Sequence, residues 1–234
     1  MAYTFHGGTH PDDKKAATNK KAIEPMKAPE QVVLPVSMHI GAPAKPVVQK
    51  GDHVYMGQLI AEASGNVSAN VHATVSGTVA AVEPRPHPNG TQVLAVVIDN
   101  DFKDEPDPSL HPLSMEAMTP EQMTEVVKEA GIVGHGGATF PTHVKIQSAI
   151  GKVDTLIING AECEPYITSD HRILLEQTQD VIDGIKILIK ILGVQNGKLA
   201  IEENKADVFP VVEKLLPQDG SIQLCRLKTK YPQG

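Results

Sequence analysis

Residues Gly131-Ile-Val-Gly-His-Gly-Gly-Ala-Thr-Phe-Pro-Thr-His-Val-Lys145 form a glycine-dense loop between two helix-like stretches. Glycines at 134, 136 and 137 leave backbone N–H groups free to converge on an anion, and the N-terminus of a following helix adds partial positive charge. Lys145 is spaced to reach back toward a phosphate as a point charge. A second motif, Asn159-Gly160-Ala161-Glu162-Cys163-Glu164-Pro165, ends a hydrophobic strand in an amide and two carboxylates. Together these residue types describe a seat for a phosphorylated cofactor. Each also has a plainer reading when taken alone. The loop lacks the Gly-x-Gly-x-x-Gly spacing and the preceding strand of a dinucleotide site, and can be a tight helix connection. The carboxylates can be solvated loop residues. His135 and His143 flank the loop, His171 reads as a helix-surface residue, and Cys163 reads as a small buried one. No Ser-His-Asp or zinc pattern appears, so no catalytic residue and no metal ligand is assigned.

Four stretches of different texture position these motifs. Residues 1–35 are polar, with Lys14, Lys15, Lys20 and Lys21 in a basic run before three prolines, which predicts an extended arm with a solvated charge run. Residues 36–100 alternate β-branched residues with frequent turn signals, predicting a small all-β unit. Residues 101–118 carry Pro106, Pro108 and Pro112 among acids and predict a linker. From 119 to 234 helices and strands alternate. Thr119, Pro120 and Gln122 predict a capped helix start, and Gly131 its end. Strands are expected over 153–159, 198–203 and 222–228, with one helix from Ser169 or Asp170 to Leu192, closed by Gly193, and another over 206–216. Positions 181, 185, 188 and 192 would share its buried face. This βαβ pattern predicts a parallel, Rossmann-like sheet whose strand ends face a ligand. The expected fold is therefore α/β with an all-β domain in front of it.

Composition excludes several functions. The 234 residues include 28 acidic against 21 basic ones, 3 % aromatic residues and no Trp, which argues against a nucleic-acid partner. Two cysteines cannot build a disulfide framework. The first ten residues lack the apolar core of a secretory signal. The richest apolar stretch, 181–192, is broken by Asp183, Lys186 and Lys190, so no transmembrane segment is expected and membrane association would come through partners.

Two resemblances then become specific. Residues 36–100, with Gly51-Asp52, Gly57-Gln58 and Ser76-Gly77, resemble the biotinyl/lipoyl-like hammerhead, a barrel-sandwich domain. Its tip region, Glu62 to Ala73, holds no Lys to carry a swinging arm, which leaves a structural role. Phe5-His-Gly-Gly, the hammerhead, the 131–145 loop and Asp154 to Arg172 resemble the RnfC subunit of the Rnf ion-translocating electron-transport complex, over nearly the whole chain. The two loop motifs are more distantly similar to the NADH-oxidising flavin subunit of respiratory complex I.

The resemblance implies bound FMN, a nicotinamide nucleotide partner, and hydride exchange between NAD(H) and the flavin. Electrons would pass on to [4Fe-4S] clusters, with ion translocation by the whole complex. By position it implies Gly134, Gly136 and Lys145 at the flavin nucleotide, with Gly137 shaping the loop. Asn159, Glu162 and Glu164 would lie along the ring side, and Phe140 and Glu164 would face the nicotinamide. It further implies other Rnf subunits as partners and a peripheral place on the cytoplasmic face of the bacterial inner membrane. A cysteine-rich cluster segment is expected beyond this sequence, which makes the chain a truncated one whose cluster ligands are absent and which would be inactive in isolation. His135, Thr139 and Ala161 depart from the Arg, Gly and Asp of complex I flavin subunits. Two alternatives stay open: a non-catalytic docking module, and a flavin-dependent cobalamin reductase of a bacterial microcompartment.

Overall fold

Alternating side chains between residues 31 and 100 produce seven short strands: β1 Gln31–Pro35, β2 Lys45–Pro46, β3 His53–Val54, β4 Leu59–Glu62, β5 Val71–His72, β6 Gly77–Pro86 and β7 Gln92–Asn100. The structure, a computed structural model, describes residues 2–234; Met1, the first residue of the expected arm, lies outside the described residues. The chain divides into two compact units, Met26–Ala149 and the residues up to Pro25 taken together with Ile150–Gly234.

In the first unit, the strands form two antiparallel sheets in the orders β1-β7-β6-β3 and β2-β4-β5. β6 and β7 are a long hairpin, from Gly77 opposite Asn100 to Pro86 opposite Gln92. Between the sheets Val54, Ile60, Ala61, Val79, Val96 and Ile98 are almost wholly buried. Each Val or Ile so placed contributes about 1.5–3 kcal/mol of apolar transfer. The expected barrel-sandwich unit is therefore present. It begins earlier than texture suggested, because Leu34 turns inward in a strand that pairs Gln31–Pro35 with Asp99–Ala95.

The same unit carries helices α1 Pro120–Glu129 and α2 Thr142–Ala149. α1 begins as its sequence predicts. The Thr119 hydroxyl accepts from Gln122 N–H, the Gln122 side chain accepts from Thr119 N–H, and Pro120 occupies the first turn. Its end is fixed to the β domain, since the Asn70 side chain donates to the Glu129 carbonyl at 3.0 Å. Gly131 then turns the chain at φ +67, where an added Cβ would lie 2.3 Å from the Asn70 carbonyl oxygen.

The second unit is the parallel sheet. β8 Thr155–Gly160, β9 Asn196–Glu202 and β10 Ile222–Leu227 lie in the order β10-β9-β8. The connections are helices α3 Ser169–Glu176, α4 Thr178–Leu192 and α5 Phe209–Leu215. Leu174, Ile182, Ile185, Leu199, Ile201, Val208, Phe209, Val212 and Ile222 fill its core. Three expectations are corrected here. The helix expected from 169 to 192 is two helices, broken where Gln177 leaves helical geometry at φ −130, ψ 35. The deeply buried residues of α4 are Thr178, Ile182, Ile185 and Ile191; of the expected positions 181, 185, 188 and 192 only Ile185 is among them. His171 is buried at 3 % exposure and hydrogen-bonds Asp207 at 2.9 Å, so it is not a surface residue. Gly193 closes α4 in the left-handed region as expected, at φ 65. Residues of the expected arm pair with this unit: Tyr3 N–H donates to the Arg226 carbonyl and Lys228 N–H to that of Tyr3.

Gly131 and Gly151 adopt nearly the same left-handed φ, +67 and +71, but only Gly131 approaches another backbone. Gly151→Ala is expected to cost about 1 kcal/mol and Gly131→Ala at least about 2–3 kcal/mol, because the latter adds a clash to the conformational strain. Thermal and urea unfolding of the two variants checks the difference; equal losses would show that the Asn70 contact has no steric weight.

Candidate functional site

The glycine loop, in the unit formed by Met26–Ala149, is closed at its base and open at its tip. Gly134 N–H donates to the Phe140 carbonyl at 2.8 Å, Thr142 N–H to that of Ile132 at 2.9 Å, and Thr139 N–H to that of Gly136 at 3.0 Å. Thr139 holds a left-handed φ of 46 to make that turn. Among the described residues the N–H groups of His135, Gly136, Gly137 and Ala138 donate to no protein acceptor. A Cβ added at Gly136 or Gly137 would meet nothing within 4 Å, so the space over these amides is open. A Cβ at Gly134 would lie 3.1 Å from the Lys145 ammonium, which shows how closely that group leans over the loop. Lys145 Nζ is 5.9 Å from the centre of the Phe140 ring and, among the described residues, is paired with no carboxylate. Unbonded amides at the loop tip, with an ammonium close to Gly134 at its base, are donors that a phosphate monoester can use. His143 is buried at the start of α2, where desolvation and then the Lys128 charge depress its pKa.

The second motif follows β8 in the other unit, at the carboxyl end of the parallel sheet. Asn159 is exposed, and its side-chain oxygen accepts from Ala161 N–H at 3.1 Å. Glu164 is also exposed, and among the described residues its carboxylate has no partner. Glu162 differs. Its residue sits at φ 49, its side chain is 3 % exposed, and its Oε1 accepts from Asp170 N–H at 2.6 Å at the start of α3. Its second oxygen, without a direct hydrogen bond among the described residues, lies 3.8 Å from Lys15 Nζ and 3.9 Å from Lys205 Nζ.

Around that oxygen is a buried charge cluster that the sequence did not reveal. The Lys15 side chain is 5 % exposed, and those of Lys205 and Glu202 are 1 % each. Lys15, expected in a solvated basic run, donates to the carbonyls of Glu162 at 2.7 Å, Glu164 at 3.0 Å and Ile167 at 2.5 Å. Lys205 donates to the Ala161 carbonyl at 2.6 Å, and Glu202 accepts from Lys230 N–H at 3.1 Å. No signal marks Lys15 among its neighbours Lys14, Lys20 and Lys21. The weak hint for the others is the polar run Glu202-Glu203-Asn204-Lys205 directly after a buried strand. Burial depresses the Lys205 pKa, assisted by the nearby Lys15 charge, and burial raises that of Glu202.

The structure thus brings Gly134, Phe140 and Lys145 together in one unit, with Gly136 and Gly137 at the open loop tip. In the other it brings together Asn159, Glu162 and Glu164. Among the described residues no group of His, Cys, Asp and Glu side chains is arranged for a metal, and no helix is long and apolar enough to cross a membrane.

Comparison with known proteins agrees with both halves. Residues 3–103 match the family model described as the RnfC barrel sandwich hybrid domain, and residues 127–234 match the Nuo51 FMN-binding domain. The second match takes in both loop motifs. The chain is 46 % identical over 233 residues to the subunit designated C in the Na(+)-translocating ferredoxin:NAD(+) oxidoreductase complex of Acetobacterium woodii, covering 99 % of this chain and 53 % of that protein. It is 46 % identical over 237 residues to the subunit of the same designation in the proton-translocating ferredoxin:NAD(+) oxidoreductase complex of Clostridium ljungdahlii, covering 100 % and 51 %. Against its counterpart in the ion-translocating oxidoreductase complex of Rhodobacter capsulatus it is 42 % identical over 238 residues, covering 100 % and 46 %. The chain spans about half the length of these curated relatives.

The two shifted groups predict opposite pH dependences. The raised Glu202 carboxyl contributes stability that is present below the ordinary carboxylate value of 4.5 and is lost as pH rises through its folded value. The depressed Lys205 contributes stability present above 10.5 and lost as pH falls through its folded value. Glu202→Gln should therefore flatten the loss of stability that the wild type shows on rising from pH 4 toward neutrality. Urea midpoints across that range measure it, and parallel curves for the two proteins would contradict it.

Proposed function

We propose, on the premise that this chain belongs to the RnfC family of ion-translocating oxidoreductase complex subunits, that it holds FMN and brings NAD(H) to it. In this reading the chain is the redox-active entry part of a peripheral subunit at the cytoplasmic face of the bacterial inner membrane. The remaining subunits would carry ion translocation, and [4Fe-4S] clusters in the longer relatives would take the electrons onward. The observation that carries the reading is the donor set of the glycine loop, open amides at its tip and the Lys145 ammonium close to Gly134, within a segment that matches an FMN-binding domain.

The residues fit FMN by their chemistry. Gly136 and Gly137 would present main-chain N–H groups to its phosphate, Gly134, whose own N–H is held by the Phe140 carbonyl, would let the nucleotide approach the backbone, and Lys145 would supply the positive charge. Asn159 offers an amide and Glu164 a free carboxylate toward the ring side. Glu162, being buried, serves that side by fixing the turn between them. Phe140 and Glu164 are assigned to the nicotinamide nucleotide. When bound, FMN accepts a hydride and releases electrons singly, so the protein needs to bind and orient rather than to supply an acid/base pair.

Fluorescence titration with FMN and bleaching of the bound flavin by NADH test the reading. Lys145→Ala should weaken FMN binding about tenfold, the scale of one charge-assisted contact. Glu164→Gln should leave FMN affinity near wild type and slow bleaching by at least tenfold. Equal binding and equal bleaching by wild type and both variants would remove the site assignment. A wild-type chain that takes up no flavin would favour the docking-module alternative.

A further inference from the structure

We propose that Lys15 and Lys205 are positioning residues for the strand-end loop Ala161–Thr168, and that the N-terminal segment is a built-in part of this half of the site. The inference rests on the flavin reading only for its functional consequence.

The loop cannot hold itself. Glu162 and Tyr166 both lie at positive φ, 49 and 68, conformations that a non-glycine residue keeps only where its surroundings impose them. The Lys15 ammonium has three N–H donors, and three carbonyls, those of Glu162, Glu164 and Ile167, converge on it. These bonds bracket both strained residues. Lys205 fixes the preceding carbonyl, Ala161, from the opposite end of the loop. The Glu162 carboxylate lies near both ammoniums and accepts from the first turn of α3, joining loop, helix and lysines.

The segment that brings Lys15 here is itself tied down. Tyr166 N–H donates to the Asp13 carbonyl at 2.7 Å, and the Thr168 hydroxyl to that of Thr18 at 2.8 Å. Thr9 and Tyr231 exchange backbone bonds at 2.7 and 2.8 Å. With its carbonyls committed inward, the loop leaves the Glu164 carboxylate exposed and unpaired among the described residues. Lys15 thus acts on any ligand of Glu164 through the backbone, without touching it.

The experiment compares full-length Lys15→Met, Lys15→Gln and Lys205→Met with the exposed control Lys20→Met. Amide hydrogen exchange is followed without flavin, and FMN affinity and NADH bleaching are followed at saturating FMN. Lys15→Met and Lys205→Met should speed exchange across 161–168 at least tenfold while amides of β9 keep wild-type protection. They should raise the Kd for FMN at least fivefold and slow bleaching even at saturation. Lys15→Gln, retaining an amide donor, should fall between, and Lys20→Met should match wild type. Unchanged loop exchange, or equal acceleration in β9 through general destabilisation, would overturn the proposal, as would unaltered flavin behaviour in a variant whose loop exchange has risen. A wild type that binds no FMN would defeat the flavin reading alone, because the exchange data still decide the positioning role.

Discussion

Two ammonium groups buried against backbone carbonyls and a pair of carboxylates hold the loop that leaves the carboxyl end of β8. Charges so deeply buried are tolerated only when paired and hydrogen-bonded, and removing one partner of such a group typically costs about 3–5 kcal/mol. Lys15 and Lys205 meet that condition mainly through carbonyls, with Glu162 and Glu202 balancing the charge at 3.8–3.9 Å. Because the carbonyls belong to one loop, satisfying the lysines also fixes the loop. Helix α3 gains its first-turn acceptor from the same Glu162, so the cluster sets the start of the first crossover as well.

The glycine loop follows the opposite principle. Its base is closed by three backbone bonds, whereas the amides of residues 135–138 are exposed and, among the described residues, unbonded. The Lys145 ammonium, close to Gly134 and without a carboxylate partner among the described residues, adds to a field that favours an anion. One candidate motif is thus stabilised by satisfying its polar groups, and the other is made receptive by leaving them available. The first arrangement suits a surface that must keep a carboxylate and an amide at fixed positions. The second suits a group that brings its own negative charge.

The matches to a barrel-sandwich domain and to an FMN-binding domain set these two devices in a larger frame. The barrel-sandwich domain supplies an apolar core without a carrier lysine at its tip, in keeping with a structural role. The packing of α1 against Asn70, through the Glu129 carbonyl and the close approach of Gly131, explains why the helices flanking the glycine loop cluster with the β domain, although the FMN-binding match begins at residue 127. Sequence texture and packing divide the chain at different points because texture follows the alternation of elements, while packing follows the contacts that a few polar anchors create.

Local signals were legible wherever one residue type has one physical use. Thr119, Pro120 and Gln122 marked a helix start, Gly193 marked a helix end, and β-branched runs marked the strands of the parallel sheet. The open loop tip at Gly136 and Gly137 was legible for the same reason. The break at Gln177, the burial of His171 against Asp207, and above all the fate of Lys15 were not. A lysine in a basic run looks like its neighbours until residues about 150 positions away supply three carbonyls for its ammonium. The sequence by itself determined the strands of the parallel sheet, the capped helix ends and the position of the glycine loop. Tertiary structure alone decided which charges leave water, because that choice depends on acceptors brought together from distant parts of the chain.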